Sequence, residues 1–401
     1  MPCGAGPGAA PHRALCTAMA MGADEPSYQR RNSMQLVKTE RDTLLRPLQT
    51  VSGIVERRHT LPILANLLIS KNGPDVSFLS TDLELQITTR ADFGIGNEQV
   101  ATTVAARKLV DILRAMPIGD VTLTLSDKRL TVQSGKSRFA LQTLAADEFP
   151  TLAQAKDFGA NLSVPQKTFK QLLGMVHFAM AQQDIRYYLN GMLLVVDGDQ
   201  LMAVATDGHR LAFSSMKTDG AFARQEVIIP RKTILELQRL LEDIDDPLTI
   251  DIASTQVKFT FGQVELVSKL VEGKFPDFQR VIPKGHKNTF MIGRDELQHS
   301  LQRAAILTSD KFKGVRCIVA PGQLKIMSTN ADQEEAQEEL EIAYQGDTLD
   351  VGFNVTYLLD VLANLKVDMI QVALGSDATS SALITIPENE QFKYVVMPMR
   401  I

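Results

Sequence analysis

At 401 residues, with 44% apolar and 22% charged side chains, the chain has the length of roughly two to four domains and the composition of a soluble globular protein. No apolar run approaches the roughly 20 residues that span a bilayer, so no membrane partner is expected. The three cysteines, Cys3, Cys16 and Cys317, form no CxxC pair, which argues against a disulfide framework or structural zinc and fits a reducing cytoplasm. The formal net charge of −5 excludes a uniformly basic surface but not a nucleic-acid partner, because the distribution of charge matters more than its sum.

Residues 1–33 are rich in Gly, Ala and Pro and lack both sustained periodicity and the long apolar segment of a signal peptide. They are expected to form a disordered N-terminal extension, and Met19, Met21 and Met34 are alternative starts. From Val37 the pattern changes. VKTERDTLLRPLQTV (37–51) predicts a short strand and then a helix with Leu44, Leu48 and Val51 on one face. VSFLSTDLELQITTRA (76–91) alternates apolar and polar residues as strands do. VAARKLVDILRAMP, from Val104, predicts a second helix. VTLTLSDKRLTVQSG (121–135) and SRFALQTL (137–144) are again strand-like, with a turn at Ser126-Asp127.

The plan then begins again. VPQKTFKQLLGMVHF (164–178) repeats the strand and helix 127 residues after Val37, with Phe169, Leu172, Leu173 and Val176 on one face. MLLVVDGDQLMAVATDGHRLAFSSM (192–216) reads as a hairpin around Asp197-Gly198-Asp199. IPRKTILELQRLLED, from Ile229, repeats the second helix at a spacing of 125. A third copy opens 128 residues after the second with IGRDELQHSLQRAAI (292–306), carrying Leu297, Leu301 and Ala304. APGQLKIMSTN (320–330) makes a similar turn, and FNVTYLLDVLANLK, from Phe353, follows Ile229 by 124. Self-similarity at a fixed period marks repeated structural units. The expected fold is therefore α+β, with three similar domains near 34–160, 161–287 and 288–401. Each is expected to hold two helices and about eight antiparallel strands.

A third landmark is TDLELQI from Thr81, TDGHRLA from Thr206 and TNADQEEA from Thr329, spaced by 125 and 123. Asp207, His209 and Arg210 look like an acid, a base and a cation set for proton transfer. Thr, Asp and Asn, however, bond nearby backbone groups and favour turns, so Asp207 reads most simply as a turn residue. His209 and Arg210 have no counterparts in the other copies, which points to a use peculiar to the second.

No catalytic constellation emerges: the chain has no phosphate-binding Gly loop, GxSxG, HExxH or paired metal-ligand spacing, so no cofactor or metal is expected. His177 falls in an amphipathic helix and reads as structural. His59, beside Arg57 and Arg58, suits phosphate contact. The acidic run DQEEAQEELE (332–341) reads as a charged edge strand or solvated face. Residues 38–58, 104–117 and 164–180 each carry a net +2, while the helical segments 229–243, 292–306 and 353–366 carry 0, in a chain of net −5. If the helices share one surface, it is mildly positive and suits a phosphate backbone without reading bases. Three similar domains with helices inside form an arc, and two arcs joined head to tail close a ring. The basic strand KSRFALQTL (136–144) and the acidic run with Glu334, Glu335 and Glu338 are complementary edges for that closure.

LPILANLLI (61–69), TDLELQI (81–87), QDIRYYLNGML (183–193), VATDGHRLA (204–212), SKLVEGKFPDFQRVIP (268–283), KFKGVR (311–316) and YVVMPMRI (394–401) together resemble the bacterial DNA polymerase III beta subunit family, the sliding clamps. The resemblance runs from about Met34 to Ile401, is poorer around 366–392, and ends in Ile401 where relatives often carry Leu. It implies a ring-shaped homodimer around double-stranded DNA, with helices lining the hole. Contacts would be sequence-independent, with no catalytic step. It implies that the ring is loaded by a clamp loader and tethers the DNA polymerase III alpha subunit, other polymerases and repair proteins through linear peptides with apolar anchors and a Gln.

Carried over by position, the resemblance implies a peptide pocket of Leu189, Thr206, Gly208, His209, Arg210, Leu211, Pro276, Arg280, Val281, Ser381, Val395, Met397, Pro398, Met399 and Arg400. His209 and Arg210 would be its polar rim, Gly208 would admit a close backbone approach, and Leu211 with the methionines would form its floor. The alternative for VVMPMRI is a strand packed in the core. The resemblance also implies DNA contacts at Arg58, Gln183, Tyr187 and Tyr188, where the two tyrosines would otherwise simply pack at a strand start. At the dimer interface, Arg107, Lys108, Lys136, Arg138, Ile306, Leu307, Glu334 and Glu338 are expected. Two rival readings are a metal-dependent nucleic-acid hydrolase using Asp207 and His209, and a scaffold unrelated to DNA.

Overall fold

The computed structural model describes residues 33–56, 61–309 and 312–400. The expected N-terminal extension lies outside them, except that the first strand already begins at Ser33. In the first domain the order is β1 (Ser33–Glu40), α1 (Arg41–Ser52), β2 (Asn66–Asn72), β3 (Asp75–Thr81), β4 (Leu85–Ala91), β5 (Gln99–Ala105), α2 (Ala106–Ala115), β6 (Asp120–Ser126), β7 (Arg129–Ser134) and β8 (Ser137–Leu144). The second domain has β9 (Ala160–Pro165), α3 (Gln166–Gly174), β10 (Gly191–Thr206), β11 (Arg210–Pro230), α4 (Arg231–Leu240), β12 (Pro247–Ile252), β13 (Gln256–Phe261), β14 (Val264–Lys269) and the single turn α5 (Phe278–Val281). In the third come β15 (Asn288–Gly293), α6 (Arg294–Ala305), β16 (Gly314–Ala320), β17 (Gln323–Thr329), β18 (Glu335–Glu341), β19 (Leu349–Asn354), α7 (Val355–Asn364), β20 (Met369–Leu374), β21 (Ala382–Ile386) and β22 (Asn389–Val396).

The helices form where the apolar spacing required them. α1 buries Leu44, Leu48 and Val51, and α6 buries Leu297, Leu301 and Ala304 with Ser300. α3 buries Phe169, Leu172 and Leu173, while Val176 is buried just beyond its end. Asn354 caps α7, its Oδ1 accepting from the Thr356 amide at 2.9 Å. Within each domain the two helices pack together, α1 on α2, α3 on α4 and α6 on α7. Cys317 is buried, and burial pushes its thiol up to about 12, so it packs as an inert apolar group.

The second domain departs from the expected strand number. It has six strands, because β10 and β11 run on where the first domain breaks into shorter pieces. The turn expected at Asp197-Gly198-Asp199 coincides with a break in register, from Val196↔Gln225 to Gln200↔Lys217, with Gly198 at φ +57°.

Sheets cross both domain boundaries. β4 pairs antiparallel with β14 (Leu85↔Ser268), joining the first domain to the second, and β11 pairs with β22 (Arg210↔Val396), joining the second to the third. At the far ends, β18 pairs only with β17. β8 pairs with β7 along its length and with β5 only at Leu144 and Thr143. One edge of each therefore stays open in the chain.

Candidate functional site

The recurrent Thr-Asp/Asn unit builds a side-chain-capped turn three times, the first two alike and the third one residue longer. Asp82 Oδ1 accepts from the amides of Glu84 and Leu85 at 2.9 and 2.7 Å. Asp207 Oδ1 accepts from those of His209 and Arg210 at 2.9 and 3.1 Å. Asn330 Oδ1 accepts from those of Asp332 and Glu334, both at 3.0 Å. Each turn also contains one residue at positive φ: Leu83 at 76°, Gly208 at 91° and Gln333 at 64°. Gly thus meets the backbone requirement of the second copy without Cβ strain. What approaches it is the Arg186 guanidinium, whose nitrogens would lie 3.1–3.2 Å from a Cβ at position 208. Gly208 therefore faces Arg186 rather than open space.

Arg210 is likewise placed differently from its expected position on a rim. It is buried, with Nε on Asp207 at 3.0 Å, Nη2 on the Phe178 carbonyl at 2.7 Å and Nη1 on Asp360 Oδ2 at 2.6 Å. Its guanidinium also lies 4.5 Å from the ring centre of Tyr357. Burial opposes its charge, but Tyr394, Asp360 and Asp207 outweigh that and raise its pKa. Arg210 therefore locks the second domain to α7 of the third. Both Asp207 oxygens are engaged in this turn and lock, and among the described residues no cluster of three His, Cys, Asp or Glu is placed to hold a metal. The hydrolase reading finds no support in this geometry.

Strand alternation builds the apolar part of the site. On β10, β11 and β22, Met192, Leu194, Ala203, Ala205, Ala212, Tyr394 and Val396 face the main core. Their neighbours Leu193, Val195, Val204, Leu211, Phe213 and Val395 point the other way into a second, smaller cluster. Leu189 closes one side, and Phe275, Phe278 and Ile282 of the segment around α5 cover another. Leu189, Leu211 and Val395 thus all belong to this buried second cluster. Met397 lies outside it and is half-exposed, its amide donating to the His209 carbonyl at 2.8 Å, and the Met399 amide bonds to the Gly352 carbonyl at 2.9 Å. Pairing of Ala382 with Val396 brings Ser381 beside Met397. Val281 and the exposed Arg280, paired with Asp277 at 2.9 Å, sit on α5, which Pro276 precedes. Pro398 and Arg400 follow Met397 on the terminal segment.

Sequence reading missed Tyr357, whose ring stacks on His209 at 6.4 Å between centroids and 20° between planes. The helical pattern of FNVTYLLD showed that Tyr357 and Asp360 share a face, but nothing in it said what that face meets. Behind His209 a polar basin of about 530 Å³ lies between the domains, lined by His177, Arg186, Arg231 and Asp360 among others. A larger groove of about 1000 Å³ lies between the first and second domains and contains none of the expected site residues.

Family models of the DNA polymerase III beta subunit match in order along the chain: the N-terminal domain over residues 34–153, the central domain over 163–277 and the C-terminal domain over 279–400. The chain belongs to the DNA polymerase III beta subunit family, the beta sliding clamps. It is 44% identical over 365 residues to the beta sliding clamp of Pseudomonas aeruginosa, covering 90% of this chain and 99% of that one. It is equally identical, over 363 residues and the same shares, to that of Escherichia coli K12. A crystal structure of the Pseudomonas aeruginosa clamp with ligand superposes with a TM-score of 0.88 at 42% identity, covering 92% of this chain and all of that one. A Pseudomonas aeruginosa clamp bound to griselimycin gives 0.88 at 43%, with the same coverage. The three domains described above are therefore clamp domains.

The remaining clamp-family positions fall as follows. Arg58 lies outside the described residues. Gln183 sits at φ +55° in the loop before β10. Tyr187 is 63% exposed, whereas Tyr188 packs against the second apolar cluster, so the two differ in what they offer a ligand. The loop is held by Asp184, whose carboxylate takes Arg186 Nε at 3.0 Å and Nη2 at 2.9 Å. The Arg186 side chain, and then its backbone amide, hold the Asp184 carboxyl down at about 2. Lys136 and Arg138 are exposed on or beside β8, as is Lys108 on α2, while Arg107 donates to the Val55 carbonyl at 2.8 Å. Ile306 is 76% exposed and Leu307 half-buried beside it. Glu334 accepts from Asn330 Nδ2 at 2.6 Å. Glu338 is gripped within the chain by Arg303 of α6, Nε to Oε1 at 2.9 Å.

Proposed function

We propose that the chain works as a homodimeric ring that encircles duplex DNA without reading its sequence and tethers a polymerase to it. The observation that carries this reading is the way the domains join. Two boundaries are bridged by antiparallel strand pairing, and one open edge of the same kind remains at each end, basic on β8 and acidic on β18. Two copies pairing β8 on β18 twice would satisfy all four open edges and close a six-domain ring. Exposed Ile306 and Phe139 supply apolar surface to bury at that joint. Arg107, Lys108, Lys136, Arg138 and Glu334 set its register by charge, and Glu338 contributes through Arg303.

The hole would be lined by the helices, with the exposed Tyr187 and Gln183 of the 183–188 loop and Arg58 touching DNA. Domain limits near 160/161 and 287/288 would fall at the start of β9 and just before β15. The groove over Leu189, Leu211 and Val395, edged by His209, Tyr357, Met397 and Val281, would receive the linear peptides of the DNA polymerase III alpha subunit, the clamp loader, other polymerases and repair proteins. That the similar Pseudomonas aeruginosa clamp binds griselimycin supports a groove of this kind. This action needs no chemical step and places the protein with cytoplasmic DNA.

The test is retention on DNA. The protein is loaded on nicked circular plasmid with a clamp loader and ATP, isolated, and half of the sample linearised. Retention on circles with loss from linear molecules is expected. Equal retention on both would replace the ring with ordinary DNA binding.

A further inference from the structure

The loop that carries Tyr187 and the turn that carries His209 belong to different contacts, one facing DNA and one facing a partner peptide. The structure ties them together through one side chain. Arg186 is fixed at its root, because its own amide donates to Asp184 Oδ1 at 2.8 Å and its guanidinium forms the two-point pair with the same carboxylate. Asp184 is fixed in turn by Asn190, which accepts from the Asp184 amide and donates to its carbonyl, both at 2.9 Å. From this anchored base the guanidinium reaches across to the Asp207 carbonyl at 3.3 Å and covers Gly208. The next residue, His209, stacks on Tyr357 and accepts from Met397.

We propose that Arg186 is a positioning residue of the partner groove: clamped by Asp184, it holds the Asp207-Gly208 turn so that His209 meets Tyr357 and Met397. This rests on the reading of that groove as the peptide site. The pair is suited to the task because a guanidinium gripped by two parallel bonds has one orientation, whereas a lysine ammonium at the same position would keep the charge but not the direction. The pair is exposed, so it adds little to global stability; its effect is local, on one turn. Gly208 is part of the device, since any side chain there would displace Arg186 as well as strain the positive φ.

The test uses the full chain and a fluorescein-labelled short peptide with one Gln and apolar anchors, read by anisotropy. Arg186→Ala is expected to weaken peptide binding about fivefold or more, with unchanged melting temperature and dimer content. Asp184→Asn should weaken it comparably, and the two changes together should do no more than either alone, because both release one bracket. Arg186→Lys should behave like Arg186→Ala. Two results would overturn the proposal: affinity within about twofold of the parent for Arg186→Ala, or full rescue by Lys, which would reduce the role to charge. Failure of the site reading itself looks different, because then Met397→Ala and His209→Ala would also leave peptide binding unchanged.

Discussion

Arg210 and Asp360 are 150 residues apart in the chain and 2.6 Å apart at their charged tips, and this pair closes the joint between the second and third domains. Arg210 is buried, so its partners decide whether its charge can be tolerated there. Asp360→Ala removes the one carboxylate contributed by the third domain and leaves Asp207 and the Phe178 carbonyl. A loss of about 1–3 kcal/mol in urea unfolding is expected for a hydrogen bond to a charged group. Unchanged stability would mean that the joint rests on β11–β22 pairing alone.

The repeats were legible in sequence because each depends on local periodicity. Leu44, Leu48 and Val51 fix a helix face wherever they fall, and Asp82, Asp207 and Asn330 cap the turn next to them. What was not legible was the partner of each outward-pointing group. Arg210 reads the same whether it rims a groove or bridges to Asp360, because the deciding residue sits in another domain. Glu338 reads as a free acid on an edge strand until Arg303 of α6 is placed beside it. The second apolar cluster was only partly legible: strand alternation marks Leu211 and Val395 as facing one way and Ala212 and Tyr394 the other, but not that both faces are covered.

Met397 offers a half-exposed side chain at the end of β22 and a backbone amide already bonded to His209. Met397→Ala keeps that backbone bond and removes an apolar, flexible contact for a peptide anchor. Peptide affinity is expected to fall by about 1–2 kcal/mol, roughly 5–30-fold, from the lost apolar area, with the melting temperature unchanged. Anisotropy titration of the labelled peptide measures it, and parent-like affinity would place the anchor elsewhere.

Phe139 stands exposed on β8, on the edge left open for pairing. Phe139→Glu sets a carboxylate against the acidic β18 of a second copy and removes apolar burial from the joint. Sedimentation velocity is expected to show a shift from dimer to monomer at micromolar concentration, and loss of retention on circular DNA should accompany it. A persistent dimer would move the contact away from the β8 edge.

His177 lies in the basin behind His209, with Nδ1 donating to the carbonyls of Leu173 and Gly174, each at 3.2 Å, which leaves Nε2 as the unprotonated nitrogen. Burial, and to a lesser extent the nearby Arg231, lower its pKa below 6.5, against those two hydrogen bonds. A histidine with a depressed folded pKa binds its proton more readily when unfolded, so the unfolded chain takes up more protons as pH falls and stability falls with it. The decline should set in near pH 6.5 and level off once pH is below the folded value. His177→Asn retains a donor for the two carbonyls and cannot titrate. Urea midpoints at pH 7.5, 6.0 and 5.0, at fixed protein concentration because dimerisation contributes, should fall less steeply for His177→Asn than for the parent chain. Parallel declines would assign the pH dependence to other groups and leave His177 as packing alone.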